Sequence, residues 1–479
     1  MRVRNTLLLL FTLFVVNAFA GGTPPAYSIK IKVKGIKDTT CLLAYHFGDK
    51  QYLKDTAQVD SKGNFTFEGS TPLEGGIYLV VLPDKRYFEV IVNEQKFSLE
   101  TDTADYVKNM KVTGSTENTI FYEYLKFLNP KGEEMSALQK SLADAKTKQD
   151  STEIKDKMKA VTKEINDYRL NVINNNPKTF VAKLFKAMQP VEVSPEEEAA
   201  AKAKGDSLFT YRFYKDHYFD NIDFSDDRIT RTPVYHEKLK DYFDHLVYPN
   251  VDSINAAADN LVKKSEANKE VFKYTVWYIT TKHETSQLMG ADAVFVHMVN
   301  NYYKTGKAYW VDKETLDKIV KRAAILEPLL LGKKAPDLML KDSTGTYHRL
   351  RDQKSKYTFV YFWDPNCGHC QKTTPKLYDV YLKYKDKGLS VYAVNIDRKH
   401  KDWVNFIQKN NLTWTNVYDP DYTISFRDRY DIYATPVLYI LNDKQEIIAK
   451  RVSYEQADEI IANALKYDQE KGKEKEKKK

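Results

Sequence analysis

The sequence predicts a multidomain chain with a small N-terminal β-sandwich, an all-α middle region and a C-terminal α/β domain. Three observations carry this. Residues 27 to about 112 alternate apolar and polar with period two between turn signals. From Ser115 to about Leu331 strand signals are few and Ala, Lys, Glu and Leu abound. From about Gly332 to Tyr467 strand-like and helix-like runs alternate. A length of 479 residues suits two to four domains. With 42% hydrophobic and 29% charged residues, each can build a core, which excludes a disordered chain except at the ends.

In the β region, Ser28-Ile29-Lys30-Ile31-Lys32-Val33-Lys34 gives one buried and one wet face. Asp60-Ser61-Lys62-Gly63-Asn64 reads as a turn, Phe65-Thr66-Phe67 restarts a strand, and Ile77–Leu82 and Phe88–Val92 follow. In the middle region, Met135–Val172 fits a long helical hairpin. Pro190–Pro195 interrupts the pattern, and Val234–Val247, Val251–Ala267, Val271–Thr281 and Ala291–Tyr303 resume it. Close-set aromatics such as Phe209, Tyr211, Phe213 and Tyr214 fit helix–helix packing. His283-Glu284 opens like a zinc-protease motif, but Gln287 stands where the second His belongs.

The C-terminal region reads as strand Tyr357–Trp363, helix Cys367–Tyr384, strand Leu389–Ile396, helix Lys401–Lys409, paired strands Val437–Leu441 and Glu446–Lys450, and a last helix from Tyr454. The join at Leu331-Gly332-Lys333-Lys334 reads as exposed, so this domain is expected to fold alone.

Arg2 and Arg4, the apolar run Leu7–Val16 and Ala18-Phe19-Ala20 form a secretory signal peptide cleaved after Ala20. The run is too short to span a bilayer. Gly21 follows it, so no thioether-linked lipid is expected there. The mature chain is expected to be periplasmic, without a transmembrane anchor. The expected divisions are thus 1–20 signal peptide, 21–114 β-sandwich, 115–331 helical domain, 332–468 α/β domain and 469–479 charged disordered tail. Net charge is +8, but two charges sit in the leader and the last nine residues hold six Lys and two Glu. The body is near neutral and offers no basic face for nucleic acid.

The chemistry centres on Cys367-Gly368-His369-Cys370, placed after an apolar strand and at the start of a helix. Two cysteines three apart in a first helical turn share a face and can bridge. At the helix N-terminus, free N–H groups and the dipole favour the Cys367 thiolate, and His369 adds a second stabiliser. Cys370, one turn in, is expected to be buried and to act second. A zinc site needs two further ligands, and only Cys41 remains, in another domain. Neither a metal nor a cofactor is expected. Three cysteines also exclude a disulfide-rich scaffold.

With these residues in view, the last 140 or so residues resemble thioredoxin-like domains of the exported TlpA/ResA type. Phe362-Trp363 before the cysteines, Pro375 eight residues after Cys367, Thr435-Pro436 before Val437–Ile440, and Gly332, Ala335-Pro336-Asp337, Leu340, Gly345 and Leu350 carry the likeness. The resemblance implies a thioredoxin-like fold and catalytic Cys367 and Cys370 forming a redox disulfide. It also implies support from Trp363, Gly368, His369, Thr435 and a cis-proline at Pro436. Substrates would be disulfide-containing periplasmic proteins, recharging would come from a membrane thiol donor or acceptor, and the family's role extends to cytochrome c biogenesis. The N-terminal parts are similar to those of multidomain exported proteins of Bacteroidetes, with Asp60–Phe67 carrying that likeness.

The sequence departs from the pattern in places. Asn366 replaces the usual Trp, Tyr361 stands where cytosolic thioredoxins keep a buried acid, and Thr373 stands where ResA-type proteins can carry a Glu. Asp397 is a candidate substitute acid. The Gly-His pair between the cysteines is that of protein disulfide isomerases. A scaffolding protein with a vestigial redox domain is the non-enzyme alternative. A peroxiredoxin would place Thr or Ser at position 364, where this chain has Asp364.

Overall fold

The computed structural model describes residues 24–476 apart from 287, 398 and 422, with side chains as far as 470. The expected signal peptide, 1–20, and Gln287 of the His283-Glu284 reading lie outside the described residues. The described chain forms two compact units that divide between Lys240 and Asp241. The division falls inside the stretch expected as one helical domain, 115–331, so those helices are shared between two bodies.

The first unit opens with eight strands: β1 (Tyr27–Lys34), β2 (Thr39–Phe47), β3 (Lys50–Val59), β4 (Asn64–Gly69), β5 (Gly76–Val81), β6 (Tyr87–Val92), β7 (Lys96–Asp102) and β8 (Lys111–Thr113). They make two four-stranded sheets, β4-β1-β7-β8 and β3-β2-β5-β6. The period-two pattern of β1 becomes burial: Ile29, Ile31 and Val33 are inside, while Lys30 and Lys34 are exposed. The turn into β4 works as its residues dictate. Asp60 Oδ1 accepts the Lys62 and Asn64 N–H groups at 2.8 Å each. Gly63 takes φ +84° where a Cβ would collide with the Val33 carbonyl.

Helices α1 (Thr116–Asp144) and α2 (Lys148–Asn175) form the long hairpin, starting well before Met135 and running through Pro130. Ser115 caps α1, and Ile120, Phe121, Tyr122 and Tyr124 in its first turns are buried, so packing fixes a helix start that periodicity further along does not mark. Helices α3 (Phe180–Met188), α4 (Pro195–Ala203) and α5 (Phe209–His217) follow, and α6 (Pro233–Asp241) closes the unit. Glu117, buried on α1, accepts the Phe180 and Val181 N–H groups at 2.7 and 2.9 Å and so caps α3.

The second unit begins with α7 (Val251–Ser265), α8 (Lys269–Glu284), α9 (Asp292–Met298) and α10 (Lys313–Leu326). Then come β9 (Met339–Lys341), β10 (Tyr347–Arg349), β11 (Tyr357–Trp363), α11 (Gly368–Tyr384), β12 (Leu389–Asn395), α12 (His400–Lys409), β13 (Thr415–Tyr418), α13 (Phe426–Tyr430), β14 (Val437–Asn442), β15 (Ile447–Lys450) and α14 (Tyr454–Glu476). The sheet order is β10-β9-β13-β12-β11-β14-β15. β11 pairs parallel with β12 and antiparallel with β14, and all seven of its residues are buried. Its alternation splits the core in two. Tyr357, Phe359, Tyr361 and Trp363 join Cys370 and Leu377 on one face, while Val360 and Phe362 join Leu338, Tyr430 and Tyr439 on the other.

One expectation is corrected here. Residues 469–476 continue α14 instead of forming a disordered tail, as Lys- and Glu-rich sequence can where a helix is already nucleated. The join Leu331–Lys334 is exposed, as expected, and its backbone is tied to the sheet: Gly332 N–H donates to Ile447 O, Ile447 N–H to Lys333 O and Ala335 N–H to Gln445 O. The α/β domain also leans on the preceding helices. Lys450, 7% exposed, pairs with Asp292 of α9 and donates to Leu329 O at 2.7 Å. Asp431, its side chain 1% exposed, pairs with Arg322 of α10 and with Arg451.

Candidate active site

The strand β11 delivers the chain to the site. Trp363, its last residue, is fully buried beneath the loop, with its ring lying parallel to that of Tyr361. Asp364 turns the chain: its carboxylate accepts the Asn366 N–H at 2.7 Å and its carbonyl accepts the Cys367 N–H at 3.1 Å. Gln371 Nε2 donates to Pro365 O at 2.9 Å and braces the loop. Cys367 then caps α11 in extended backbone, and its Sγ accepts the Cys370 N–H at 3.5 Å. A thiolate is therefore met by a free N–H of the first helical turn.

The two thiols differ in surroundings. Cys367 is half-buried and Cys370 fully buried. Partial burial pushes the Cys367 thiol up, but hydrogen bonds from the Cys370 N–H, Thr435 and the His369 N–H outweigh it and hold the group below its ordinary value. Burial pushes the Cys370 thiol up to about 12. Cys367 is therefore the readily ionised sulfur and Cys370 the protonated one.

The remaining expected site residues converge unevenly. The Thr435–Pro436 peptide bond is cis, and Cys367 Sγ lies 3.4 Å from the Thr435 carbonyl oxygen. Gly368 and His369 are exposed, and a Cβ at Gly368 would meet nothing within 4 Å. The small residue thus leaves the outer face of the pair open. What His369 brings to Cys367 is its backbone N–H. Asp397 is held by the Asn366 amide at 2.7 Å, with Asp402 3.3 Å from the same nitrogen. That places the candidate acid on the loop before the cysteines. Asp402 carries no signal in the sequence, since only the fold brings α12 to this loop.

Beside Pro436 opens a cavity of about 590 Å³, lined among others by Tyr361, Thr373, Leu377 and Pro436. Arg322 reaches it from α10, before the α/β domain, so a search confined to the C-terminal motifs misses it. Among the described residues no cluster of three or more His, Cys, Asp or Glu is placed to hold a metal ion. No described helix is long and apolar enough to cross a membrane.

A helix-capping cysteine, a buried partner one turn on and a facing cis-proline, carried on a mixed sheet, define a thioredoxin-like domain. Residues 331–450 match the AhpC/TSA family, 27–121 a domain of unknown function (DUF4369) and 202–326 another (DUF5106). The thiol-disulfide oxidoreductase ResA of Bacillus thuringiensis is 29% identical over 140 residues, 29% of this chain and 79% of that one. A domain of a possible thiol-disulfide isomerase from Cytophaga hutchinsonii is 52% identical, over 29% of this chain and 96% of that one, with a TM-score of 0.28. A thioredoxin-like protein from Bacteroides caccae is 19% identical, over 57% of this chain and 97% of that one, with a TM-score of 0.46. The C-terminal domain is thioredoxin-like, and its homologues are thiol–disulfide oxidoreductases, ResA-type enzymes among them.

Proposed function

We propose that the protein is exported and reduces or exchanges disulfides of periplasmic proteins through Cys367 and Cys370. The observation that carries this is the contrast between the two sulfurs: one part-exposed and held below its ordinary pKa at a helix N-terminus, the other buried and held well above it. The Cys367 thiolate attacks one sulfur of a substrate disulfide, that bond breaks, and the departing sulfur leaves as a thiolate. Cys370 then loses its proton and attacks Cys367 Sγ, releasing the second substrate sulfur. The substrate disulfide gains two electrons and the cysteine pair becomes the disulfide. The Thr435 backbone beside Cys367 suits strand-like pairing with an unfolded substrate segment.

The arginine-containing, apolar leader at residues 1–20 supports export, and an oxidising compartment supplies disulfides to act on. A membrane thiol donor or acceptor would recharge the pair, and the likeness to ResA extends the candidate substrates to those of cytochrome c biogenesis. Peroxide reduction is disfavoured by Asp364, a carboxylate where that chemistry places a hydroxyl. The test is a trap. Cys370→Ser should attack but not resolve, so mixed disulfides with envelope proteins accumulate on Cys367, while Cys367→Ser should trap nothing. Trapping by Cys367→Ser alone would reverse the roles.

A further inference from the structure

The loop that faces Cys367 carries an aromatic ring in reach of the same sulfur. Cys367 Sγ lies 3.4 Å from Thr435 O. Tyr433 stands two residues before Thr435, no more than about 7 Å away along the chain. Its side chain lines the cavity beside Pro436, and the residue is 56% exposed. Two guanidinium groups lie against its ring. The Arg427 carbon, from α13, is 4.7 Å from the ring centroid, and that of Arg322, from α10, is 5.5 Å. The two arginines differ in what else holds them. Arg322 pairs with Asp431, whose other partner is Arg451. Arg427 is exposed and pairs with no carboxylate among the described residues. Asp428, next to it in the chain, is taken by Lys321 at 3.8 Å and by the Ser425 hydroxyl at 3.1 Å. Three arginines thus meet one buried carboxylate here. Glu455, the other carboxylate on the cavity, is offset by Lys376, which stacks on the neighbouring Tyr454. The Tyr433 edge of the cavity therefore carries an excess of positive charge, open to solvent at Arg427.

We propose that Arg427 and Tyr433 form a substrate subsite that takes an acidic side chain within about three residues of the substrate's reacting cysteine, and that Arg322 is a positioning residue that holds the Tyr433 ring. This rests on the reading of Cys367 as the attacking sulfur. A polypeptide whose sulfur sits at Cys367 lays its flanking residues along the Thr435 backbone, and so past Tyr433. A carboxylate there accepts from the Arg427 guanidinium, which the ring already orients. An ammonium in the same place meets like charge. The site is exposed, so the pairing is modest and acts on encounter and choice of substrate more than on tight binding. Arg322 lies in the stretch 202–326 that matches DUF5106. The helices before the α/β domain thereby take part in selecting the substrate.

The probes are short peptides that hold a single cysteine linked to thionitrobenzoate and differ only in carrying Glu, Gln or Lys on either side of it. Cys367 attacks the peptide sulfur, the disulfide breaks, and thionitrobenzoate leaves as a coloured thiolate that stopped-flow absorbance follows. Each rate with the reduced full chain is divided by the rate of free dithiothreitol with the same peptide, which removes the peptide's intrinsic reactivity. At low ionic strength the Glu peptide should react about threefold faster than the Gln peptide. The Lys peptide should be slower than both, and the differences should close as salt rises. Arg427→Gln should remove the preference, and Arg427→Glu should turn it toward Lys. Arg322→Met should lower the Glu-to-Gln ratio, and Arg322→Lys should restore it. Each ratio is taken within one protein, so a general loss of activity does not move it. Equal rates for Glu and Gln in the unmodified chain, or a Glu preference that survives in Arg427→Gln and Arg427→Glu, would overturn the subsite. A ratio unchanged in Arg322→Met would overturn the positioning role. Should the Arg322 variants fail to fold, the exposed Arg427 pair decides for the subsite. Release by the unmodified chain no faster than by Cys367→Ser would overturn the reading of Cys367 itself, and the subsite with it.

Discussion

Brief alkylation of the reduced protein at pH 7 should mark Cys367 almost alone. With Cys370 pushed up to about 12, about one molecule in a hundred thousand carries its thiolate at that pH. An ordinary thiol of pKa ~8.5 is about 3% ionised there. Taken at that ordinary value, ionisation alone favours Cys367 by about three-thousandfold, and the helix N-terminus holds Cys367 below its own ordinary value. The more basic thiolate is the better nucleophile, which returns about fortyfold at a Brønsted slope near 0.45. The net preference is about a hundredfold, and the complete burial of Cys370 widens it. A timed iodoacetamide pulse, followed by tandem mass spectrometry of the peptide holding both cysteines, reads the ratio directly. Raising the pH should level off the Cys367 rate while the Cys370 rate keeps climbing. Equal labelling at pH 7, or faster labelling of Cys370, would refute the assignment of nucleophile and resolving thiol.

Asp431→Ala should destabilise the second unit by about 3 kcal/mol in urea unfolding, since it breaks a buried carboxylate's pairing with Arg322 and Arg451. The partial exposure of both guanidiniums keeps the cost near the low end, and an unchanged midpoint would contradict the pairing. Stability of the reduced protein should also fall as pH rises above about 8.5. Burial raises Cys370 to about 12 and Cys41 to about 11, so the folded chain keeps protons that the unfolded chain releases. The slope should be at most about 1.4 kcal/mol per pH unit for each thiol, and thermal melts of Cys370→Ser should show a shallower decline.

The parts of this molecule that speak through local pattern were legible in the sequence. The alternation in Ser28–Lys34 gave the inward face of β1, the apolar run Tyr357–Trp363 gave the central strand to the residue, and the strand-to-helix junction put Cys367 at an N-cap. What was not legible depends on residues distant in the chain. Ser115 is a local N-cap signal for a helix from Thr116, but the burial of Ile120, Phe121, Tyr122 and Tyr124 that holds the helix there is a tertiary fact. The division near Lys240 follows from which helices pack together, as with Asp292 on Lys450 and Arg322 on Asp431, and helical periodicity is the same on either side. At the site, Tyr361 stood out as a missing acid, but its partnership with Thr374 appears only when β11 and α11 are laid together.

The central claim is that this chain exchanges disulfides through Cys367. Its most direct test is dithiothreitol-driven reduction of insulin, followed by turbidity, with the unmodified protein and Cys367→Ser side by side. The unmodified protein should precipitate insulin markedly faster than dithiothreitol alone, and Cys367→Ser should fall to that background. An unmodified protein no faster than dithiothreitol, or a Cys367→Ser variant as fast as the unmodified chain, would contradict the account.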